Sequence, residues 1–374
     1  MLDYDAVGAL PPRGSVVLHT EASSGFGGQE IRILEESRWL TAHGWPAVIA
    51  CQPGSRLFEE ARRVGLPVFG IRMRHAADPL ALAGLISAIR RTRAAIVHTH
   101  SSVDSWLATP AARLLGRAVV RSRHVSIPVR RWRALVYRLP DRVITSAEAV
   151  RAMLVAAGVP VDRVSVVPAG IDTTRFHAGV DGSRVRAELG LTGPVVGLVA
   201  NLRGSKGHAV FLEAARAVLE TAPGTRFLIV GDGVGAARIR RLIAEHGLDG
   251  AVLMTGFRRD IPEVMAALDV LVLPSTRTEA IPQVVMQALA VGTPVVATCF
   301  GGIPEIVRDG ETGTLVAPGD ARALARAIAG ALADPARARA MARAGQAMVH
   351  RELTLEQAMS RTLAVYAEAL AARG

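Results

Sequence analysis

Short apolar runs recur along the chain, separated by longer Ala-, Leu- and Arg-rich stretches with helical spacing. Ser15–Thr20 (SVVLHT) reads as a first buried strand, and Gly28 to about His43 then has helical periodicity. Trp45–Gln52, Leu66–Ile71, Ala95–His100, Val119–Val125, Arg142–Ser146 and Val164–Pro168 read as further strands, with helical segments such as Pro79–Arg93 and Ala147–Ala157 between them. The pattern lapses around Asp172–Ser183 into a polar, glycine-containing stretch and then restarts. Val195–Asn201, Arg226–Gly231, Val252–Phe257, Val270–Pro274, Pro294–Thr298 and Thr314–Ala317 form the second series of strands. Three helices, Ala321–Ala333, Pro335–His350 and Leu353–Ala372, close the chain. Continuous apolar strands alternating with helices predict α/β architecture with parallel sheets covered on both faces. The expected division is 1–178 for a first doubly wound domain, 179–352 for a second, and 353–374 for a final helix. Ligands in such sheets bind outside the carboxyl ends of the strands, so two facing halves would enclose a cleft lined by the loops after the strands.

The 374 residues suffice for two ordinary domains. Half the residues are hydrophobic but only 4% are aromatic, which favours close-packed α/β layers over an aromatic-rich sandwich. No apolar run reaches membrane-spanning length, and Met-Leu-Asp-Tyr-Asp at the start lacks the basic and apolar regions of a secretory signal. Cys51 and Cys299 lack metal-ligand spacing and suit a reducing cytoplasm. The net charge of +11 is lopsided: residues 1–180 hold 23 Arg against 14 acids. That excess points to an anionic partner (a membrane surface, a phosphorylated acceptor or a nucleic acid) or to a general arginine bias. Arginine supplies 43 of the 44 basic residues, which fits the bias; the exception is Lys206.

The chemistry-bearing residues follow strands. Gly27 and Gly28, after the first, let backbone approach an anion at a helix start, or simply make a tight turn. His98 and His100, followed by Ser101 and Asp104, and His124 further on, could face the cleft or be hydrogen-bonded structural residues. Arg203 and Lys206 flank a Gly-Ser turn, and keeping lysine in an arginine-dominated chain points to a geometric need at a phosphate. Pro282 is expected as the first residue of a helix whose free N–H groups suit a diphosphate. Glu279 precedes it, able to take sugar hydroxyls or to act as an ordinary loop acid, and Gln287 follows at reach. Phe257 and Asp260 are walls of a base pocket or turns. Arg130–Arg138 mixes cations and aromatics, fitting either an anionic membrane or an ordinary basic helix.

The stretches SSGFGGQE, IVHTHSS, VITSAEAV, VSVVPAGIDTTRF, LRGSKGHAVFLEAA, FLIVGDG, MTGFRRDIPEVMAALDVLVLPS and TEAIPQVVMQALAVGTPVVAT, in this order, resemble family 4 of the retaining glycosyltransferases. The resemblance implies the GT-B fold: two Rossmann-like domains facing across a cleft, with a terminal helix crossing back to the first. It implies a metal-independent transfer without cofactor, the nucleoside-diphosphate sugar being the co-substrate. Gly27 and Gly28 would face the donor phosphates and the acceptor, His124 the transferred sugar, and Arg203 and Lys206 the diphosphate. Glu279 matches the first acid of the E-x7-E signature, with Ile281, Pro282 and Gln283 beside it, and Phe257 borders the base. His100, Ser101 and Asp104 would lie on the acceptor side. Two positions depart from the pattern: Gln287 replaces the second acid, and Asn201 stands five before Lys206, where the family has arginine, the arginine here being Arg203, three before the lysine. The expected partners are the donor, a glycan or glycolipid acceptor of envelope polysaccharide or lipopolysaccharide synthesis, and peripherally an anionic inner membrane. The site is cytoplasmic and nucleic acid is not expected. The alternatives are a silent nucleotide-sugar-binding subunit, a sugar-nucleotide epimerase or a phosphorylase.

Overall fold

The computed structural model describes residues 10–373; the side chains of Arg131 and Trp132 also lie outside the described set. The expectation about the first five residues therefore falls outside it, as does half of the Arg130–Arg133 cluster. The chain divides into two compact units, one ending at Ala169 and resuming at Glu356, the other spanning Gly170–Leu355. The chain crosses between the units at 169/170 and 355/356, where 178 and 352 were expected, and the two crossing segments pair with each other. Ile171 N–H donates to Leu353 O at 2.9 Å, and Leu355 N–H donates to Ile171 O at 2.9 Å. These bonds hold both strands of the connection in the second unit.

The first unit carries β1 (Val17–Glu21), β2 (Ala47–Cys51), β3 (Val68–Gly70), β4 (Ile96–Thr99), β5 (Ala118–Arg123), β6 (Arg142–Thr145) and β7 (Val164–Val166). They form one parallel sheet in the order β3-β2-β1-β4-β5-β6-β7. The second unit carries β8 (Val195–Val199), β9 (Arg226–Val230), β10 (Val252–Gly256), β11 (Val270–Leu273), β12 (Val295–Thr298) and β13 (Thr314–Val316). Their order is β10-β9-β8-β11-β12-β13, again all parallel. Each is a doubly wound, Rossmann-like unit. Helices cover both faces of each sheet, so every residue of β1, β8 and β11 is buried; β11 is Val and Leu throughout, whereas β1 ends in His19, Thr20 and Glu21. Helix Leu355–Ala371 belongs to the first unit, where Tyr366 is completely buried and Glu368 pairs with Arg142 at 2.9 Å.

The strand order reverses once in each sheet, beside its first strand. In the first sheet the reversal lies between β1 and β4, in the second between β8 and β11. The loops after such a strand pair diverge to opposite faces and leave a crevice at their carboxyl ends. No described helix is long and apolar enough to cross a membrane.

Candidate functional site

In the second unit both loops at the reversal carry charge. After β8 the chain makes a 3-10 turn at Gly204–Lys206 before helix His208–Thr221. Gly207, between them, has φ +74°, and a Cβ there would lie 1.9 Å from Pro274 O. Only glycine lets the two loops approach this closely. Thr276 N–H then donates to Ser205 O at 2.9 Å and stitches them together. After β11 the Pro274–Pro282 loop is fixed from its other side too: Gly302 N–H donates to Ala280 O, and Thr298 Oγ1 donates to Ser275 O at 2.7 Å. Thr278 sits at φ 58°, a conformation non-glycine residues rarely adopt, so this loop is held in a strained shape.

That clamping sets Glu279. Its carboxylate is 4% exposed, Lys206 Nζ lies 2.5 Å from its Oε1, and Ser275 Oγ donates to the same oxygen at 2.6 Å. A buried carboxylate must be paired to stay ionised, and the lone lysine of the chain does the pairing. Sequence analysis had given the two residues separate duties; the fold brings them into contact. Arg203, on the same turn, is exposed and takes no ion pair among the described residues.

The helix after this loop runs Gln283–Val291. Pro282 is its N-cap, at φ −76° and ψ 118°, and not its first residue as expected. Its carbonyl accepts from Val285 N–H, and a cap position needs an extended backbone, which proline also tolerates. No side chain caps this helix, so its first N–H groups are left for an anion. Gln283 and Gln287, four apart, share one helix face. Gln283 Oε1 is buried without a hydrogen-bond partner, and Gln287 is buried. Ile281 is buried against the loop base. Phe257 follows the edge strand β10, two strands from β8, with Arg259 over its ring at 5.4 Å.

In the first unit, β1 and β4 bring histidines together. His19 is the register partner of His98, and His98 and His100 point to one face because they are two apart along a strand. His19 Nδ1 lies 3.0 Å from His100 Nε2, and His100 Nδ1 lies 3.1 Å from His124 Nε2. His98 is bound separately, Nδ1 to Tyr366 Oη at 2.7 Å and Nε2 to Ser122 Oγ at 2.8 Å. Burial holds all four imidazoles far below the usual histidine range, His19 at about 3, and the Arg32 guanidinium nearby adds to the shift. They are neutral at physiological pH. His124 is the one ring of the four that is part-exposed.

Two expectations here are corrected. Asp104 is completely buried, and its carboxylate accepts from Thr20 Oγ1, His100 N–H, Ser101 N–H and Ser101 Oγ at 2.5 to 2.9 Å. It closes a capping box on helix Ser102–Leu114, so its oxygens are spent and none faces an acceptor. His100 is likewise 3% exposed, with both ring nitrogens engaged by other histidines. Ser101, part-exposed, is the N-cap of the same helix. Gly27 is the N-cap of helix Gly28–Ala42, its N–H donating to the Glu30 carboxylate at 2.8 Å. The basic Arg130–Arg138 stretch is only partly a surface feature. Tyr137 is buried there, its hydroxyl accepts from Arg123, and Arg121 lies 4.2 Å above its ring.

Sequence reasoning passed over Glu21, His19, Tyr366 and Ser275. Glu21 ends β1 fully buried, accepting from Ser23 N–H at 2.7 Å and from the Gln29 amide. Burial, then the Asp104 and Glu30 carboxylates, push its carboxyl up to about 8. A signal for His19 was present: SVVLHT and AIVHTH both carry His-Thr at the strand end.

Two parallel-sheet Rossmann-like units, each with a strand-order reversal beside its first strand, are the GT-B architecture. The solved structure of Anabaena Alr3699/HepE in complex with UDP-glucose has this fold, with a TM-score of 0.84, 22% identity, and coverage of 93% of this chain and 98% of that one. Residues 183–348 match the family model described as Glycosyl transferases group 1, and residues 26–175 the one described as Glycosyltransferase Family 4. The chain is 34% identical over 316 residues to the 2-deoxystreptamine glucosyltransferase of Streptomyces kanamyceticus, covering 78% of this chain and 81% of the relative. It is 34% identical over 202 residues to the putative colanic acid biosynthesis glycosyltransferase WcaL of Salmonella typhimurium, covering 52% of this chain and 48% of that protein. The chain belongs to the group 1, family 4 glycosyltransferases.

Proposed function

We propose that this enzyme transfers a sugar with retention from a nucleoside-diphosphate donor, without a metal ion, to a glycan or glycolipid acceptor in envelope polysaccharide or lipopolysaccharide synthesis. The observation that carries the donor assignment is the Lys206–Glu279–Ser275 cluster at the β8/β11 reversal, beside an uncapped helix start. Arg203, Lys206 and the first N–H groups of helix Gln283–Val291 hold the diphosphate. They stabilise the charge that develops on it as the glycosidic bond breaks, ordinarily the largest catalytic term. The hydrogen bonds from Lys206 and Ser275 both fall on Glu279 Oε1, and Oε2 is offered to a sugar hydroxyl. Gln287 takes the ribose through an uncharged amide. His124 donates to a hydroxyl of the transferred sugar, Gly27 and Gly28 lie by the donor phosphates, and Phe257 flanks the base. The departing phosphate takes the acceptor's proton, which fits four histidines too weakly basic to do so.

A peripheral, cytoplasmic-face position is supported by exposed Val125, Ile127, Leu135, Leu139 and Val155 in the first unit, interspersed with Arg130, Arg133 and Arg138. A second acceptor reading, a small aminocyclitol, is favoured by the match to the 2-deoxystreptamine enzyme over 78% of this chain and 81% of that protein.

Thermal unfolding against UDP, GDP, ADP and dTDP, each with and without EDTA, tests the donor site. A nucleotide at 100 times its Kd adds about 2.7 kcal/mol. Stabilisation by one nucleotide, unchanged by EDTA, is expected. Stabilisation that EDTA abolishes would refute metal independence, and no stabilisation by any would refute the donor site.

A further inference from the structure

The buried histidines of the first unit form a directed chain, and its direction can be worked out. A neutral imidazole has one N–H and one bare nitrogen. In the row His19–His100–His124 each ring presents Nδ1 to Nε2 of the next, at 3.0 and 3.1 Å. The protons can therefore run one way or the other. If they run from His124 toward His19, the last proton sits on His19 Nε2. That atom is buried and has no hydrogen-bond partner. The Arg32 guanidinium acts on His19 and keeps a buried Nη2 without an acceptor, so a bare nitrogen on His19 suits this place better than a further N–H. The protons therefore run outward: His19 Nδ1–H donates to His100, and His100 Nδ1–H donates to His124 Nε2. His124 is left with its proton on Nδ1, the nitrogen with no partner among the described residues, on the one ring of the row that is part-exposed.

The same group invites a metal reading, since ligand atoms of His19, His98 and His100 lie within 4.8 Å of one another. Both nitrogens of His98 are already bonded, to Tyr366 and Ser122, and His19 and His100 spend nitrogens on each other. A cation there would have to break these bonds, and would sit near the Arg32 guanidinium. The hydrogen-bonded row accounts for the geometry and the metal does not.

We infer that His100, oriented by His19, is a positioning residue that fixes His124 as a neutral Nδ1–H donor for a substrate hydroxyl. A chain ending in a donor cannot take up a proton from the acceptor without placing charge in the buried row. The inference builds on the reading of His124 given above and adds the two residues behind it and the proton's location.

Long-range nitrogen–proton NMR of the 15N-labelled full-length protein at pH 7.5 reads each tautomer directly. His19, His100 and His124 should all show the Nδ1–H neutral pattern. His100→Leu should convert His124 to a tautomer mixture, and His100→Asn, whose amide can donate from the place of Nδ1, should restore Nδ1–H. Hydrolysis of UDP-glucose or GDP-mannose, whichever the enzyme turns over, should fall at least tenfold in kcat with His100→Leu, with little change in KM, and recover with His100→Asn. A wild-type His124 protonated on Nε2 overturns the inference even if the leucine variant fails to fold. So does a His124 tautomer indifferent to His100→Leu. His124→Ala separates this from the underlying reading: full turnover in that variant refutes the role of His124 in transfer, whereas lost turnover with an Nε2–H tautomer refutes only the relay.

Discussion

Glu21→Gln should stabilise the first unit, and by an amount that shrinks as the solution is acidified. Glu21 is fully buried at the end of β1, with its carboxyl raised from 4.5 to about 8. In the unfolded chain it ionises above pH 4.5; in the native state it holds its proton up to about pH 8. Between those values folding takes up a proton, so the residue costs stability as pH rises through the window. For an ideal amide replacement the cost relieved is about 4 kcal/mol at pH 7.5 and about 1 kcal/mol at pH 5.5. The two pH curves should therefore converge by about 2–3 kcal/mol over that interval. Gln29, whose amide donates to Glu21, can turn over to offer its oxygen instead. All four tryptophans, Trp39, Trp45, Trp106 and Trp132, precede residue 170, so urea unfolding followed by tryptophan fluorescence reports this unit. Parallel curves for wild type and variant would mean that Glu21 is ionised in the native protein, and the reasoning would fail.

The buried histidines titrate in the opposite sense. His19, His98 and His100 stay neutral in the fold but charge below about pH 6.5 when unfolded, so each removes on the order of 1 kcal/mol between pH 7.5 and 5.5; in Glu21→Gln, stability should fall steadily as the pH drops through that range, and a flat profile would contradict their depressed pKa values. Tyr366→Phe strips His98 Nδ1 of its partner and should cost about 1–3 kcal/mol in the same urea assay. Gly207→Ala forces apart the loops after β8 and β11, and should weaken nucleotide binding at least tenfold by calorimetry while leaving tryptophan-detected unfolding of the first unit unchanged. Lys206→Ala should lower turnover by 100-fold or more, and wild-type turnover in that variant would remove lysine from the phosphate site. Gln287→Glu should tighten nucleotide binding about fivefold if the side chain meets ribose, a charged acceptor being worth about 1 kcal/mol more than an amide.

The layering of this fold was legible because parallel strands buried on both faces leave continuous apolar runs. Strands expected at Val270–Pro274 and Arg142–Ser146 occupy Val270–Leu273 and Arg142–Thr145, and the closing helices start within two residues of their expected positions. Local chemistry was less so. Pro282 reads equally well as a cap or a first residue, because its fixed φ suits both. Asp104 read as a site acid although Ser101 and Asp104 have the spacing of a capping box; only its further bond from Thr20, on another strand, was hidden from the sequence. The histidine row could not be assembled from spacing alone. His98 and His100 share a face through the period of the strand, but His19 joins them only once β1 and β4 are known to be neighbours in matched register. Lys206 and Glu279, 73 residues apart, meet for the same kind of reason: their strands flank the reversal.

The contact between Lys206 and Glu279 also bears on how an anion finds this enzyme. Before any ligand arrives, the lysine already has its counter-ion, and the pair is close to neutral when seen from a distance. Long-range attraction on this loop then falls to Arg203, which has no such partner among the described residues. The association rate of a nucleotide should depend on ionic strength as though one local cation steered it, not two. Lysine's charge is spent at short range, after the encounter, when the diphosphate competes with Glu279 for the ammonium group and so frees the carboxylate for the sugar that came with it.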